Sequence, residues 1–190
     1  MSLADIVFMP ETPAHDHEIE DINAEAFGPG RFAKAAYKIR EGGPHERALS
    51  FVAVHEGKVV ASVRLSRIVA GEGKGLLLGP LAVRPAYKNQ GIGRKLVRIG
   101  LQAAREVGVG VVILVGDEPY YGPFGFKRVP YGQLAMPRPV DPNRLLAAEL
   151  KEGALAELQG MVMHAATAGQ GIAAPLAAPP PMKTLLKQVG

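Results

Sequence analysis

Between Leu78 and Leu96 the chain reads Leu-Gly-Pro-Leu-Ala-Val-Arg-Pro-Ala-Tyr-Lys-Asn-Gln-Gly-Ile-Gly-Arg-Lys-Leu, a short apolar strand passing through a glycine-flanked turn into a helix. The helix follows from spacing: Ile92, Leu96, Ile99, Ala103 and Val107 recur at three- and four-residue intervals and share one face, which predicts packing on a sheet. Arg94, Lys95 and Arg98 fall off that face within the first two turns, where backbone N–H groups lack partners and the helix dipole is positive. Each cation there works against the dipole by roughly 0.3–1 kcal/mol, and a bound anion would relieve the conflict. Gly91 and Gly93, without a Cβ, let a diphosphate approach the amides closely. The segment reads as a phosphate cradle, and the plainer alternative is a solvated basic helix start.

Two phosphate-binding motifs are disfavoured. A dinucleotide fingerprint would want a third glycine where Leu96 stands, and its strand would run straight into the turn. A P-loop would close with Gly-Lys-Ser/Thr, whereas this turn closes with Gly93-Arg94-Lys95 and offers no hydroxyl to magnesium.

With 190 residues, 47% of them hydrophobic, the chain can bury one good-sized core. It has no cysteine, which excludes disulfides, thiol catalysis and Cys-ligated zinc. His15, His17, His45, His55 and His164 show no metal-ligand spacing, so no metal is expected. The N-terminus lacks a basic segment followed by a long apolar one, and no stretch reaches the roughly twenty apolar residues of a membrane span. A cytoplasmic location with no membrane partner follows. The net charge of +4 is spread along the chain, with only Arg94, Lys95 and Arg98 tightly grouped, and one anionic small molecule accounts for that group without a nucleic acid.

Along the chain, residues 5–9 read as a strand and 16–27 as a helix with Ile19, Ile22 and Ala26 on one face. A second helical piece covers about 31–41. Residues 50–55 and 58–66 form a hairpin across Glu56-Gly57, and 76–83 completes a meander. Gly79-Pro80 inside that last strand calls for a bulge or splay, since proline cannot donate to a ladder. Residues 111–115 are β-branched and apolar, as in a buried central strand. Residues 144–150 and 158–164 read as paired finishing strands, with helix as the alternative for both. From Ala165 the chain turns to Ala, Gly and Pro without a periodicity that buries a core, so residues 1–164 are expected to form the domain and 165–190 a tail or arm.

Lys88-Asn-Gln-Gly91-Ile-Gly93 resembles the acyl-CoA signature of the GNAT superfamily of N-acetyltransferases, Gln/Arg-x-x-Gly-x-Gly/Ala, with Lys88 where the family has Gln or Arg. A second resemblance follows in the family's order, at Val111-Val-Ile-Leu-Val-Gly-Asp-Glu-Pro-Tyr-Tyr-Gly-Pro-Phe-Gly-Phe126. Its Tyr-Tyr-Gly-x-Phe-Gly-Phe is similar to one branch of these acetyltransferases, with a shortened helix before Gly125-Phe126. Asp117-Glu118-Pro119 stands where many relatives have an Asn, so that pantetheine contact is not carried over. Packing of Tyr120 and Tyr121 under a Pro/Gly loop is the plainer reading of the pair.

The resemblance implies an α/β (α+β) fold with a mixed central sheet splayed at the acyl-CoA strand and flanked by helices. It implies acetyl-CoA as co-substrate, held by Leu81, Ala82, Val83, Lys88, Asn89, Gln90, Gly91, Ile92, Gly93, Arg94 and Lys95. It also implies direct transfer, in which an uncharged amine attacks the thioester. The backbone N–H of Leu81 would polarise the carbonyl and Tyr121 would protonate the departing sulfur. Glu56, Asp117, Glu118, Glu149 and a water chain remain open as the base. The acceptor is a small-molecule or peptide amine. Glu18, Glu20, Asp21 and Glu25 could draw a cationic amine, or form a solvated helix face. A homodimer is left open, and a non-catalytic acyl-CoA sensor or interaction domain is the alternative function.

Overall fold

Strand-forming runs rich in Val, Ile and Leu meet at two-residue turns in the first half of this chain, and a sheet grows around them. The computed structural model describes residues 3–169 and 176–190. β1 (Val7–Pro10), α1 (Asp16–Phe27) and α2 (Ala35–Arg40) lead into β2 (Phe51–His55), β3 (Lys58–Ala70) and β4 (Gly73–Val83). Then come α3 (Ile92–Glu106), β5 (Val111–Val115), α4 (Glu118–Tyr121), β6 (Lys127–Arg128), β7 (Leu134–Ala135) and β8 (Leu145–Glu149). α5 (Ala154–Glu157), β9 (Gly160–Met161), β10 (Met163–His164) and α6 (Met182–Val189) complete the order.

The main sheet runs β1-β2-β3-β4-β5-β8-β6, with β10 paired to β3. Only β4 and β5 are parallel neighbours within it, which makes the sheet mixed, as expected. Period-two alternation sorts β4 between two cores: Leu76 and Leu78 pack towards α3, and Leu77 towards the opposite face with Ile39 and Ile113. On α3 the predicted face is buried through Ile92, Leu96, Ile99 and Ala103, while Val107 is the C-terminal cap. α1 covers the sheet with Ile19 and Ile22 against Val52, Val59 and Ala82.

Two irregularities in β4 open the sheet. Leu65 lies opposite Leu78 and Val63 opposite Leu81, so Gly79 and Pro80 face Arg64 alone, which is the expected bulge. β4 then pairs with β5 only at Leu76–Val112 and Leu77–Ile113. Beyond Leu77 the two parallel strands part.

The strands expected at 58–66 and 76–83 are longer, Lys58–Ala70 and Gly73–Val83, and meet in a second hairpin; four further expectations differ from the structure. The first strand begins at Val7, because residues Leu3–Asp5 form a 3-10 turn. The helical piece at 31–41 is divided by extended Lys34 into a 3-10 turn, Pro29–Ala33, and α2. The finishing segments do not pair with each other: β8 pairs with β5 and β6, β9 with β7, and β10 with β3. Finally, part of the expected tail has a buried face. Met182, Leu185, Leu186 and Val189 recur at helical spacing and join the core beside α3, with Leu185 only 1% exposed. Residues 170–175 of that stretch lie outside the described residues. Among the described residues, no helix is long and apolar enough to cross a membrane.

Candidate active site

α3 is capped at its N-terminus by Gly91, whose φ is +81°, and its first backbone bond runs from the Lys95 N–H to the Gly91 carbonyl at 2.9 Å. The amides of Ile92, Gly93 and Arg94 therefore have no partner inside the helix and lie at its positive end. Gly93 is a position of close approach. A Cβ there would stand 2.9 Å from the Tyr120 hydroxyl and 3.3 Å from Val83 Cγ2. Tyr120 is thus docked on the helix start, where the Arg94 guanidinium lies 5.2 Å from its ring centroid.

The backbone of β4 faces two ways. The Arg84 N–H donates to the Val60 carbonyl at 2.9 Å, while Ala61 stands opposite Val83, Ser62 opposite Ala82 and Val63 opposite Leu81. Hydrogen-bonded and non-hydrogen-bonded pairs alternate along an antiparallel ladder, so the Ala82 amide also points at β3. The Leu81 and Val83 amides point at the other edge, from which β5 has departed. A ligand lying in the splay meets the backbone of Leu81 and Val83, and Ala82 contributes its place on the wall rather than its amide.

Tyr121 stands beside this opening. Its ring is edge-on to Tyr120 at 4.8 Å and to Phe126 at 5.8 Å. Gly116 at the end of β5 comes so close that a Cβ would fall within 3.0 Å of two of its ring carbons. Burial pushes the Tyr121 phenol well above the ordinary tyrosine range, Tyr120 and Asp117 add to that, and Arg144 opposes it. The hydroxyl is protonated at neutral pH. Burial also raises Tyr120, against the pull of Arg94.

Leu81, Ala82, Val83, Lys88, Asn89, Gly91, Ile92, Gly93, Arg94 and Tyr121 all line a single cleft of about 980 Å³. Gln90 and Lys95 are not among its lining residues. The Gln90 side chain donates to the Ala86 carbonyl at 3.1 Å. The Lys95 ammonium donates to the Gly190 carbonyl at 3.0 Å, and its amide is used within the helix. One residue along a helix is a rotation of about 100°, which carries Lys95 away from the face that Arg94 presents.

Of the rest of the cleft, only Asp117 was named from the sequence, as a candidate base. Phe27, Arg31, Lys34, Tyr37 and Arg40 line it from α1, α2 and the turn between them, and Asp117, Asp141 and Arg144 from the other side. The only signal for the first group is the three-residue spacing of Tyr37 and Arg40, which puts both on one face of a short helix. Of the carboxylates considered as base, Asp117 alone lines the cleft, and it is 3.1 Å from Arg144 Nε. Glu118 binds Arg128, Glu149 accepts from the Leu155 N–H, and Glu56 is in the β2–β3 turn. The acidic face of α1 is elsewhere: Glu18 accepts from the Val59 N–H, Glu20 and Glu25 lie near Arg64 and Arg84, and Asp21 meets His17.

A strand pair parted beside a helix start, with a partly buried tyrosine at the opening, is the arrangement of an acyl-CoA-binding transferase. Residues 16–126 match the model of the Acetyltransferase (GNAT) family, and the chain belongs to that family. It is 31% identical to the N-acetyltransferase YhbS of Escherichia coli strain K12 over 157 residues, 81% of this chain and 93% of that protein. It is 33% identical to the N-acetyltransferase YjhQ of the same strain over 114 residues, covering 58% of this chain and 63% of YjhQ. Among solved structures, YhbS from Escherichia coli in complex with CoA superposes with a TM-score of 0.71 at 27% identity, covering 84% of this chain and 89% of that one. A GNAT family acetyltransferase from Brucella melitensis in complex with acetyl-CoA gives 0.54 at 30% identity, covering 75% and 94%.

Proposed function

We propose that this chain moves an acetyl group from acetyl-CoA to a primary amine by direct transfer. The observation that carries the reading is the shared cleft, which has unpartnered amides of Ile92–Arg94 at one end and the parted β4 edge with Tyr121 at the other. The first end suits a diphosphate, since helix-start amides and Arg94 supply donors and charge together. The second suits a thioester. The CoA and acetyl-CoA complexes of the two structural relatives support the same ligand.

Each residue then has one task. Leu81 directs its N–H at the thioester oxygen, where charge develops, and losing one such donor costs about 3–4 kcal/mol of transition-state stabilisation. Val83 fixes the pantetheine arm by backbone pairing, as an added strand does. Tyr121 gives its proton to the departing sulfur, a task for which a phenol held neutral by burial is suited. Asp117, or a water held between Asp117 and the amine, takes the proton that the amine loses.

Tyr121→Phe tests this reading against that of a non-catalytic acyl-CoA sensor. The expected result is CoA-thiol release slowed by roughly 100-fold or more, the usual worth of a positioned acid, with acetyl-CoA affinity by calorimetry unchanged. Equal rates for the two proteins would remove Tyr121 from the mechanism. Binding of acetyl-CoA with no turnover of any amine by the wild type would leave the sensor.

A further inference from the structure

Most partly buried arginines of this chain have carboxylate partners. Arg47 and Arg64 bind Glu11 and Asp16, Arg67 binds Glu46, and Arg84 lies near Glu25. Arg31 and Arg40 are exceptions, and both line the cleft. Arg31 is 9% exposed, with Nε donating to the Tyr37 hydroxyl at 3.1 Å and Nη1 to the Gly28 carbonyl at 2.8 Å. Neither acceptor neutralises it. Arg40 lies 4.8 Å from the centroid of the same Tyr37 ring, and among the described residues no carboxylate is within ion-pair distance of it. Burial brings its pKa down to about 10, where it is still charged at neutral pH. The charged groups that it feels at neutral pH are Glu20 and the like-signed Arg64, and Glu20 already lies 3.5 Å from Arg64.

The position of Arg40 is informative. Its Nη1 lies 3.4 Å from where a Cβ of Gly79 would stand, at the bulge where β4 and β5 part. Val83, which reaches the Gly93 cradle, is four residues further along β4, beyond the bulge. Arg40 is therefore at the reacting end of the cleft and not at the diphosphate end, where Arg94 and Lys88 stand. Neither of the two carboxylates lining the cleft is within ion-pair distance of it: Asp117 is paired with Arg144, and Asp141 caps the turn at Pro142–Arg144 by accepting from the Asn143 N–H. A desolvated guanidinium without a counter-ion is costly, and its planar fork matches a carboxylate.

We propose that the acceptor is a small amine that also bears a carboxylate, which Arg40, assisted by Arg31, receives beside the splay. The inference rests on the transferase reading above and narrows its substrate class. It runs against a polyamine or an aminoglycoside-like acceptor, whose additional cations would meet Arg40, Arg31 and Lys34 on the same wall.

The experiment compares amino acids with their decarboxylated counterparts: lysine with cadaverine, histidine with histamine, tyrosine with tyramine. Lysine-containing peptides with free and with amidated C-termini form a further arm, which separates a free amino acid from a chain end. CoA-thiol release gives kcat/KM for each, and calorimetry gives acetyl-CoA affinity. The expected result is a preference of roughly 10- to 100-fold for the carboxylate-bearing member of each pair, the worth of one charge-assisted hydrogen bond. Arg40→Met should abolish that preference while leaving acetyl-CoA affinity unchanged. Equal or faster use of the decarboxylated amines by the wild type overturns the proposal, without needing the variant to fold. So does equal loss of both members in Arg40→Met, or acetyl-CoA binding without turnover of any pair. Failure to bind acetyl-CoA would instead sink the transferase reading itself.

Discussion

Gly116→Ala should disable the enzyme without touching the hydroxyl of Tyr121. The added methyl would stand 2.4 Å from Tyr121 Cε2, 2.9 Å from Cδ2 and 3.0 Å from Leu114 Cδ1. Ordinary carbon contact begins near 3.5 Å, so the ring must give way by about 1 Å. It has little room to turn in place, because Tyr120 and Phe126 stand edge-on to it and Phe126 is 1% exposed. The backbone adds no strain of its own, since Gly116 is not among the residues of positive φ. Displacing a reacting group by 1 Å can cost about 100-fold in rate, or about 2.7 kcal/mol of activation free energy. CoA-thiol release with the best amine of the series above gives kcat, and calorimetry gives acetyl-CoA affinity. The expected outcome is a kcat lowered by roughly 100-fold with affinity within about threefold, since the α3 amides are elsewhere. A fully folded variant with wild-type kcat would mean that the position of Tyr121 does not govern the chemistry.

Other consequences concern stability and the C-terminal helix. Leu185→Ala removes a side chain buried between α6 and α3, and should cost about 2–5 kcal/mol. Urea unfolding should show this as a lowered midpoint, and an unchanged midpoint would mean that α6 is not docked. For Glu11, burial alone would raise the carboxyl, but hydrogen bonds and charge from His45 and Arg64 outweigh it and hold the pKa below the ordinary value. A depressed native pKa contributes stability that is present above about pH 4.5 and lost as pH falls through the native value. The stability gap between wild type and Glu11→Gln, about 3–5 kcal/mol at pH 7 for a broken buried pair, should therefore narrow as the pH falls below about 4.5 and through the lowered native value. A gap that does not change with pH would remove Glu11 from the acid response.

The strand, bulge and helix from 76 to 106 were legible because local signals and tertiary demands coincide there. Gly79-Pro80 cannot continue a ladder, Gly91 can adopt a positive φ, and one face of α3 is apolar throughout. The cradle followed from unpaired amides, which every helix start has. Which cations serve it did not follow, because Arg94 and Lys95 are equivalent in composition and differ only in rotation about the axis. α6 was hidden by its lead-in: proline and alanine around Ala177–Pro181 gave no reason to expect the apolar spacing of Met182, Leu185, Leu186 and Val189 to meet a partner. The acceptor wall was hidden for a different reason. Arg31 and Arg40 are ordinary helical residues in sequence, and become informative only when no carboxylate among the described residues is seen to lie within ion-pair distance of either.

On this reading the α3 start and the parted β4 edge hold one acyl-CoA. Calorimetric titration with acetyl-CoA and with free CoA tests it most directly, using wild type, Gly91→Ala and Gly91→Glu. The alanine variant carries the backbone strain of a side chain at φ +81° without charge, and the glutamate adds a negative charge where a diphosphate is expected. Wild type should bind both ligands saturably, with a modest loss in Gly91→Ala and a loss of at least tenfold more in Gly91→Glu. No binding by wild type, or equal binding by the glutamate and alanine variants, would contradict it.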